Sequence, residues 1–222
     1  MTQSASPPDG PMPGGNHPDA RARTIHNLKF IAWAMHMFTK QNGGRLPVAA
    51  IREGDKRLLS WRVAILPFLE EVALYQRFHR DEPWDSPHNQ ALLKEMPRVY
   101  APVALEDTTP YATYYQGFVG PGALFDGDEG TRIADVVEAV RPKLLVVEAA
   151  YPVPWTKPED VPYDPGKPLP KLGGQFDDGF YATFAEGSVR FLSREVAPET
   201  IHALVRRGDG EAMTGDKLGP CL

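Results

Sequence analysis

Apolar residues in the first third of the chain recur at three- and four-residue steps. Ile25, Leu28, Ile31, Met35 and Phe38 lie on one side of a 3.6-residue period, which predicts an amphipathic helix starting near Arg21. Ala32 and Ala34 add helix propensity, and Asn42, Gly43 and Gly44 supply a left-handed stop. Gly54 and Asp55 read as a turn within a short loop. Ser60 caps a second predicted helix from Trp61 towards Phe78, which Pro67 kinks or splits by removing a backbone donor. Asp85 or Ser86 caps a third, with Pro87 at its first position, Ala91, Leu92 and Met96 on one face, and Pro97 ending it.

Beyond Pro97 the period shortens. Val99–Tyr100 and Thr113–Val119 are β-branched and aromatic runs bounded by proline and glycine, and they read as strands. Residues Ile133–Val140 predict a short helix. Lys143–Glu148 holds the continuous apolar run Leu144, Leu145, Val146 and Val147, which fits a central strand. Tyr151–Lys171 is rich in proline and reads as a structured loop. Phe180, Ala182 and Phe184 then alternate with Tyr181 and Thr183, Glu186-Gly187 turns the chain, and Ser188–Leu192 returns with Val189 and Phe191 on one face. Pro198–Arg206 predicts a last helix. Helices early and strands late define an α+β fold.

Composition changes this picture little. The chain has 222 residues, 42% hydrophobic and 24% charged, enough for one core, expected over residues 21–211 between a leader (1–20) and a tail (212–222). The 23 prolines and 20 glycines speak for turns rather than a helical bundle. A net charge of -5 with only short basic clusters disfavours nucleic acid. The single cysteine, Cys221, allows no disulfide within the chain. No run approaches the roughly 18 apolar residues of a membrane helix, and residues 1–20 lack the order of a secretory signal.

Candidate chemistry is sparse. His79, Asp81, Glu82, Asp85 and His88 are residue types that zinc or manganese prefers, but they straddle Pro83 and do not share a helical face. Asp126, Asp128 and Glu129 start like a calcium loop, which then fails at Gly130 and Val137. Asp177, Asp178 and Glu186 fit turn carboxylates, or acid–base partners of Glu148 in a hydrolase of carbohydrate or peptide. Glu148 ends an apolar strand, where a carboxylate requires a hydrogen-bonding partner. There is no nucleophile elbow, Walker loop or dinucleotide fingerprint, and Arg207-Gly208-Asp209 is a three-letter match that arises by chance. Trp61, Trp84 and Trp155 stand near prolines or charges, either as a stacking surface for sugars or peptides or as covers for the core. No catalytic residue, metal ligand or cofactor is assigned.

Five segments in order carry a resemblance. They are the helix from Asn27 to Phe38; Leu59–Val63 with Leu66–Glu70; Glu82-Pro83-Trp84-Asp85-Ser86-Pro87-His88-Asn89; Trp155–Asp160; and Ala185–Phe191. Together they resemble domain-of-unknown-function family 1559, a planctomycete pilin- or pseudopilin-like family with a prepilin-type H-X9-DG motif. The resemblance implies a long N-terminal helix packed on an antiparallel sheet, with extra short helices and long loops. It also implies a non-enzymatic interaction or structural role, with Trp61, Trp84, Asp85, His88, Trp155, Glu186 and Gly187 as binding positions. Envelope proteins or glycans are the implied partners and the cell envelope the implied location. Residues 1–20 stand where such proteins carry a leader and an apolar anchor, which leaves a cytoplasmic location open. In the C-terminal motif Phe176 takes the His position and Glu186 the Asp position, with Gly187 kept.

Overall fold

The computed structural model describes residues 18–104, 109–137 and 142–208. Helix α1 (Pro18–Gln41) opens the described chain and lies along a four-stranded antiparallel sheet of order β3-β5-β7-β8, formed by Ala112–Gln116, Leu144–Pro154, Gly179–Phe184 and Val189–Ser193. Leu28, Ile31 and Met35 of α1 share a core with Leu145, Val146, Tyr181 and Val189. On the opposite face Leu144, Val147, Phe180, Ala182, Phe184 and Leu192 pack with Ile201, Leu204 and Val205 of α6 (Pro198–Val205). The sheet is thus covered on both faces, which explains why the central strand β5 reads as an unbroken apolar run. An irregularity between Leu144 and Val146 turns Leu145 and Val146 to the same side.

Most of the remaining elements wrap the α1 side. β1 (Ala50–Glu53) and β2 (Lys56–Ser60) form a hairpin, followed by α2 (Trp61–Ala64), α3 (Val72–Arg77) and α4 (Pro87–Ala91). β4 (Phe118–Val119) pairs in parallel with β6 (Val161–Pro162), and the two add Phe118 and Val161 to the α6 core. α5 (Ala134–Val137) lies between β4 and β5 in the chain. Among the described residues no helix is long and apolar enough to cross a membrane.

Several expectations are corrected. The helix starts at Pro18, so the expected leader overlaps it by three residues. The Gly54-Asp55 turn joins two strands, which charged Arg52, Glu53, Lys56 and Arg57 had hidden from any apolar alternation. The segment 61–78 breaks into α2, a 3₁₀ turn at Leu66–Phe68 holding Pro67, and α3, with Glu70 at φ 65 between the last two. The helix expected up to Pro97 ends at Ala91 and passes into a 3₁₀ turn at Leu93–Glu95. Val99 and Tyr100 lie in a 3₁₀ turn, because Tyr100 is buried and donates its hydroxyl to the Arg62 carbonyl instead of pairing with a strand. The run Thr113–Val119 divides at Gly117 into β3 and β4. β5 runs on to Pro154, claiming four residues expected in the loop, and β6 claims two more. Of the Ile133–Val140 helix the described part is α5. Residues 138–140, the expected leader up to residue 17, the tail 212–222, Cys221 and Asp209 lie outside the described residues.

Gly120 closes the β4–β6 pairing. Its φ is +144°, and a Cβ there would stand 2.0 Å from the Tyr163 carbonyl oxygen, while the Tyr163 N–H donates to Val119 O at 2.8 Å. Gly120→Ala therefore combines a disfavoured backbone with a clash against main chain. Its expected cost is on the order of 3 kcal/mol in urea unfolding. A change below about 0.5 kcal/mol, within the usual range for surface substitutions, would contradict this account.

Candidate functional site

The tryptophans expected to form a stacking surface are mostly interior. Trp61 and Trp155 are fully buried. They belong to a run of ring contacts from Phe125 through Trp61, Tyr100 and Trp155 to Phe78, with centroids 5.7–6.4 Å apart. The Trp155 indole N–H donates to Leu93 O at 3.0 Å and that of Trp61 to Asp160 Oδ1 at 3.0 Å. Both therefore cover the core, and neither offers a ring to a ligand. Trp84 is half-buried, with the Lys157 ammonium 5.7 Å from its ring and its backbone N–H bonded to Leu58 O.

Beneath Trp61 lies a polar network that the sequence reading missed. Arg62 and Asp160 form an ion pair at 2.7 Å with both side chains sealed from solvent. Arg62 also donates from Nε to Tyr115 O at 2.9 Å and from Nη1 to Ser60 Oγ at 2.7 Å. Asp160 Oδ1 accepts from the Gly117 N–H at 2.9 Å as well. The signal was an arginine set inside the apolar run Leu58–Leu66, where an unpaired charge is prohibitively costly.

The Glu82–Asn89 segment is built around Asn89, which is fully buried. Its Nδ2 donates to His79 O (2.8 Å), Pro83 O (3.1 Å) and Glu82 O (3.2 Å), and its Oδ1 accepts the His79 N–H at 3.0 Å. Ser86 caps α4 by accepting the Asn89 N–H. His79 and His88 stack with centroids 3.5 Å apart; His79 Nδ1 meets Glu82 Oε1 at 3.0 Å and His88 Nε2 donates to Arg77 O at 2.7 Å. The Ser86 hydroxyl, with His79 next, holds the Glu82 carboxyl below its ordinary range. Asp81 and Asp85 are exposed. Among the described residues no three of His, Cys, Asp and Glu gather to hold a metal ion. Three of the five candidate ligands, His79, Glu82 and His88, instead make contacts within the loop.

The C-terminal motif positions also separate into structural duties. Phe176 is buried, with the Arg21 guanidinium 4.8 Å above its ring; Arg21 pairs with Asp178 at 2.7 Å and so fixes the start of α1 to the sheet. Glu186 accepts from Ser188 Oγ at 2.6 Å and lies 3.7 Å from Arg190, while Gly187 takes the positive φ of +93° that the hairpin turn requires.

Glu148 is fully buried between α1 and the sheet. It accepts from the Tyr181 N–H and Gln175 Nε2, both at 2.7 Å, with Thr24 Oγ1 at 3.5 Å. Burial outweighs these hydrogen bonds and pushes its carboxyl up to about 8. The group is enclosed, and Asp178 and Glu186 are engaged elsewhere, so these carboxylates do not face one another across an open cleft as a glycosidase pair requires.

What the surface offers instead is the fourth tryptophan. Trp33 on α1 is 49% exposed and stacks on Phe30 at 5.6 Å, which in turn stacks on His26 at 6.4 Å. His26, Phe30, Trp33 and Met37 follow four-, three- and four-residue steps, one stripe on the outer face of the helix, with exposed Lys29 and Lys40 beside it. A groove of about 470 Å³ opens beside His26 and Phe30, against the turns carrying Leu69, Met96 and Pro97. The signal was Trp33, an aromatic off the core-facing period of α1, beside Phe30, which packs partly against the core.

Fold and surface together define an α+β protein with one long helix laid on an antiparallel sheet and an outward aromatic stripe on that helix. The chain belongs to the family described as Protein of unknown function (DUF1559), whose model matches residues 20–131, from α1 to the loop before α5. No curated protein and no solved structure matches the chain.

Two measurements check these assignments. Asn89→Ala strands one buried N–H and three carbonyls, and its expected cost in urea unfolding is about 2–4 kcal/mol. For Glu148 the folded-state value of about 8 lies above the ordinary 4.5. Between those values the folded state holds a proton that the unfolded state has lost, so the contribution of Glu148 to stability is fully present below about pH 4.5 and is lost as pH rises towards 8. Glu148→Gln keeps the neutral form at every pH. Inside that window the wild-type stability is expected to fall with pH more steeply than the variant's, by up to about 1.4 kcal/mol per pH unit. Equal slopes would show that Glu148 folds in its charged form.

Proposed function

We propose that this protein is a non-enzymatic, pilin- or pseudopilin-like interaction module that docks on a protein or glycan of the cell envelope through the outer face of α1. The observation that carries this reading is the half-exposed Trp33, stacked on Phe30 and His26 on a helix whose opposite face already fills the core. A tryptophan left in water forgoes most of its burial energy, whereas at an interface it is among the residues that contribute most to affinity. The α1-on-sheet architecture supports the pilin-like part of the reading, since it presents the helix as a ridge with an accessible side.

The test places a photo-crosslinking residue at position 33 of the full chain in its native cells and also measures binding to purified cell-wall sacculi. The expected result is an adduct with an envelope protein whose binding can be rebuilt from purified components, or saturable binding to sacculi. In either case Trp33→Ala is expected to weaken binding by about 2 kcal/mol, roughly thirtyfold. Binding unchanged in Trp33→Ala, or no adduct and no sacculus binding, would overturn the proposal.

A further inference from the structure

A second recess lies on the far side of the sheet from α1, between the proline-rich loop after β6 and the N-terminal half of α6, with a volume of about 630 Å³. That size falls among sites for small organic ligands, roughly 300–1,000 Å³. Its floor is apolar. Buried Phe180 and Ile201 come from the core under α6, and Leu169, Leu172 and Val196 pack onto the same core from the walls. Pro165, Pro168 and Pro170 form one wall and Pro198 stands opposite. Their fixed φ angles hold the walls apart without a ligand, which lowers the ordering cost of binding.

The rim is polar, with two cations, one carboxylate and a histidine. Lys167, Arg194 and His202 line the recess, against one carboxylate, Glu199. Lys167 meets Asp164 at 3.1 Å with its side chain 75% exposed, so its charge is only partly answered. Arg194 gives one N–H to Phe176 O at 3.2 Å and keeps others available. His202 Nδ1 meets the Tyr163 hydroxyl at 3.2 Å, which leaves Nε2 as the nitrogen open to a ligand. The Arg194 guanidinium beside an apolar floor favours an anion with an apolar body over a neutral sugar, which demands many donors and acceptors.

We infer that this recess binds a small amphipathic anion: a flat or branched apolar body seated on Phe180, Leu172 and Ile201, with one carboxylate or sulfonate held by Arg194, Lys167 and His202. The site is separate from the α1 stripe, so the two readings stand or fall independently.

Two dyes that share an apolar body and differ in charge make the test. Anilinonaphthalene sulfonate carries the anion, and N-phenylnaphthylamine is neutral. Titrated into the full chain, the sulfonate is expected to bind one equivalent and to be displaced by naphthoate. Arg194→Gln with Lys167→Gln, both at exposed positions, should weaken the sulfonate about tenfold and leave the neutral dye within about twofold. Val196→Trp fills the recess and should abolish both, with circular dichroism and the melting temperature confirming that the variant is folded. If Val196→Trp does not fold, displacement by naphthoate and the charge variants decide alone. Binding in many equivalents, binding that survives Val196→Trp in folded protein, or a sulfonate affinity unmoved by the charge variants would each overturn the inference.

Discussion

The Arg62–Asp160 pair ties α2 and its neighbours to the loop between β5 and β6. With both side chains sealed from solvent, the desolvation of two charges has to be offset by geometry alone. That explains why the guanidinium spends its donors on Asp160, Ser60 and a β3 carbonyl, and why one carboxylate oxygen collects three N–H groups. Such a pair contributes less to net stability than to uniqueness, because an alternative packing that parted the two would bury a bare charge. The junction of β2 and α2, the end of β3 and the loop from Trp155 to Asp160 are thereby held in one arrangement. Gly117 is part of the same solution. A Cβ there would stand 2.3 Å from the Phe125 ring, and its N–H is one of the three donors to Asp160.

The seat of α1 solves a similar problem without a buried ion pair. Glu148, Thr24, Gln175, Asn27 and Tyr115 form a polar layer between helix and sheet. The cation nearest to Glu148 in its influence, Arg21, is committed to Asp178 at the edge. Burial therefore favours neutral forms: it pushes the Glu148 carboxyl up to about 8 and raises the Tyr115 hydroxyl too. A protonated Glu148 still accepts from Tyr181 and Gln175, and the Thr24 hydroxyl can accept its proton in return. The two sides of this core thus use opposite electrostatic strategies.

Much of this was legible in the order of residues, and what was not has physical reasons. α1, the β7–β8 hairpin, β5 as an internal strand and α6 follow from periodicity, since each has one or two buried faces and clear stops. The β1–β2 hairpin escaped notice because exposed charges occupy its polar positions. Val99–Tyr100 looked like a strand because local propensity cannot see that Tyr100 is wanted between Trp61 and Trp155. Of the seven positions marked by family resemblance, five have an evident place in the fold. Trp61, Trp155 and Gly187 serve packing and turn geometry, and His88 and Glu186 serve loop contacts. Asn89, the residue that organises its loop, gives no compositional hint at all, since its four contacts go to backbone groups that every sequence has.

That division bears on where function is to be sought. Asn89, Arg62, Trp61, Trp155 and Asp160 each answer several buried neighbours at once, so their identities are explained by the fold without any partner. Trp33 is different in kind. Phe30 contacts one face of its ring, but nothing in the helix-on-sheet packing requires an indole there, and Lys29 and Lys40 show that the same face tolerates charge. A half-exposed tryptophan adds little to stability, and its exposure is the observation on which the proposed docking face rests. Among the described residues the exposure of Trp33, like that of Tyr151 on β5, is not explained by the packing of the fold.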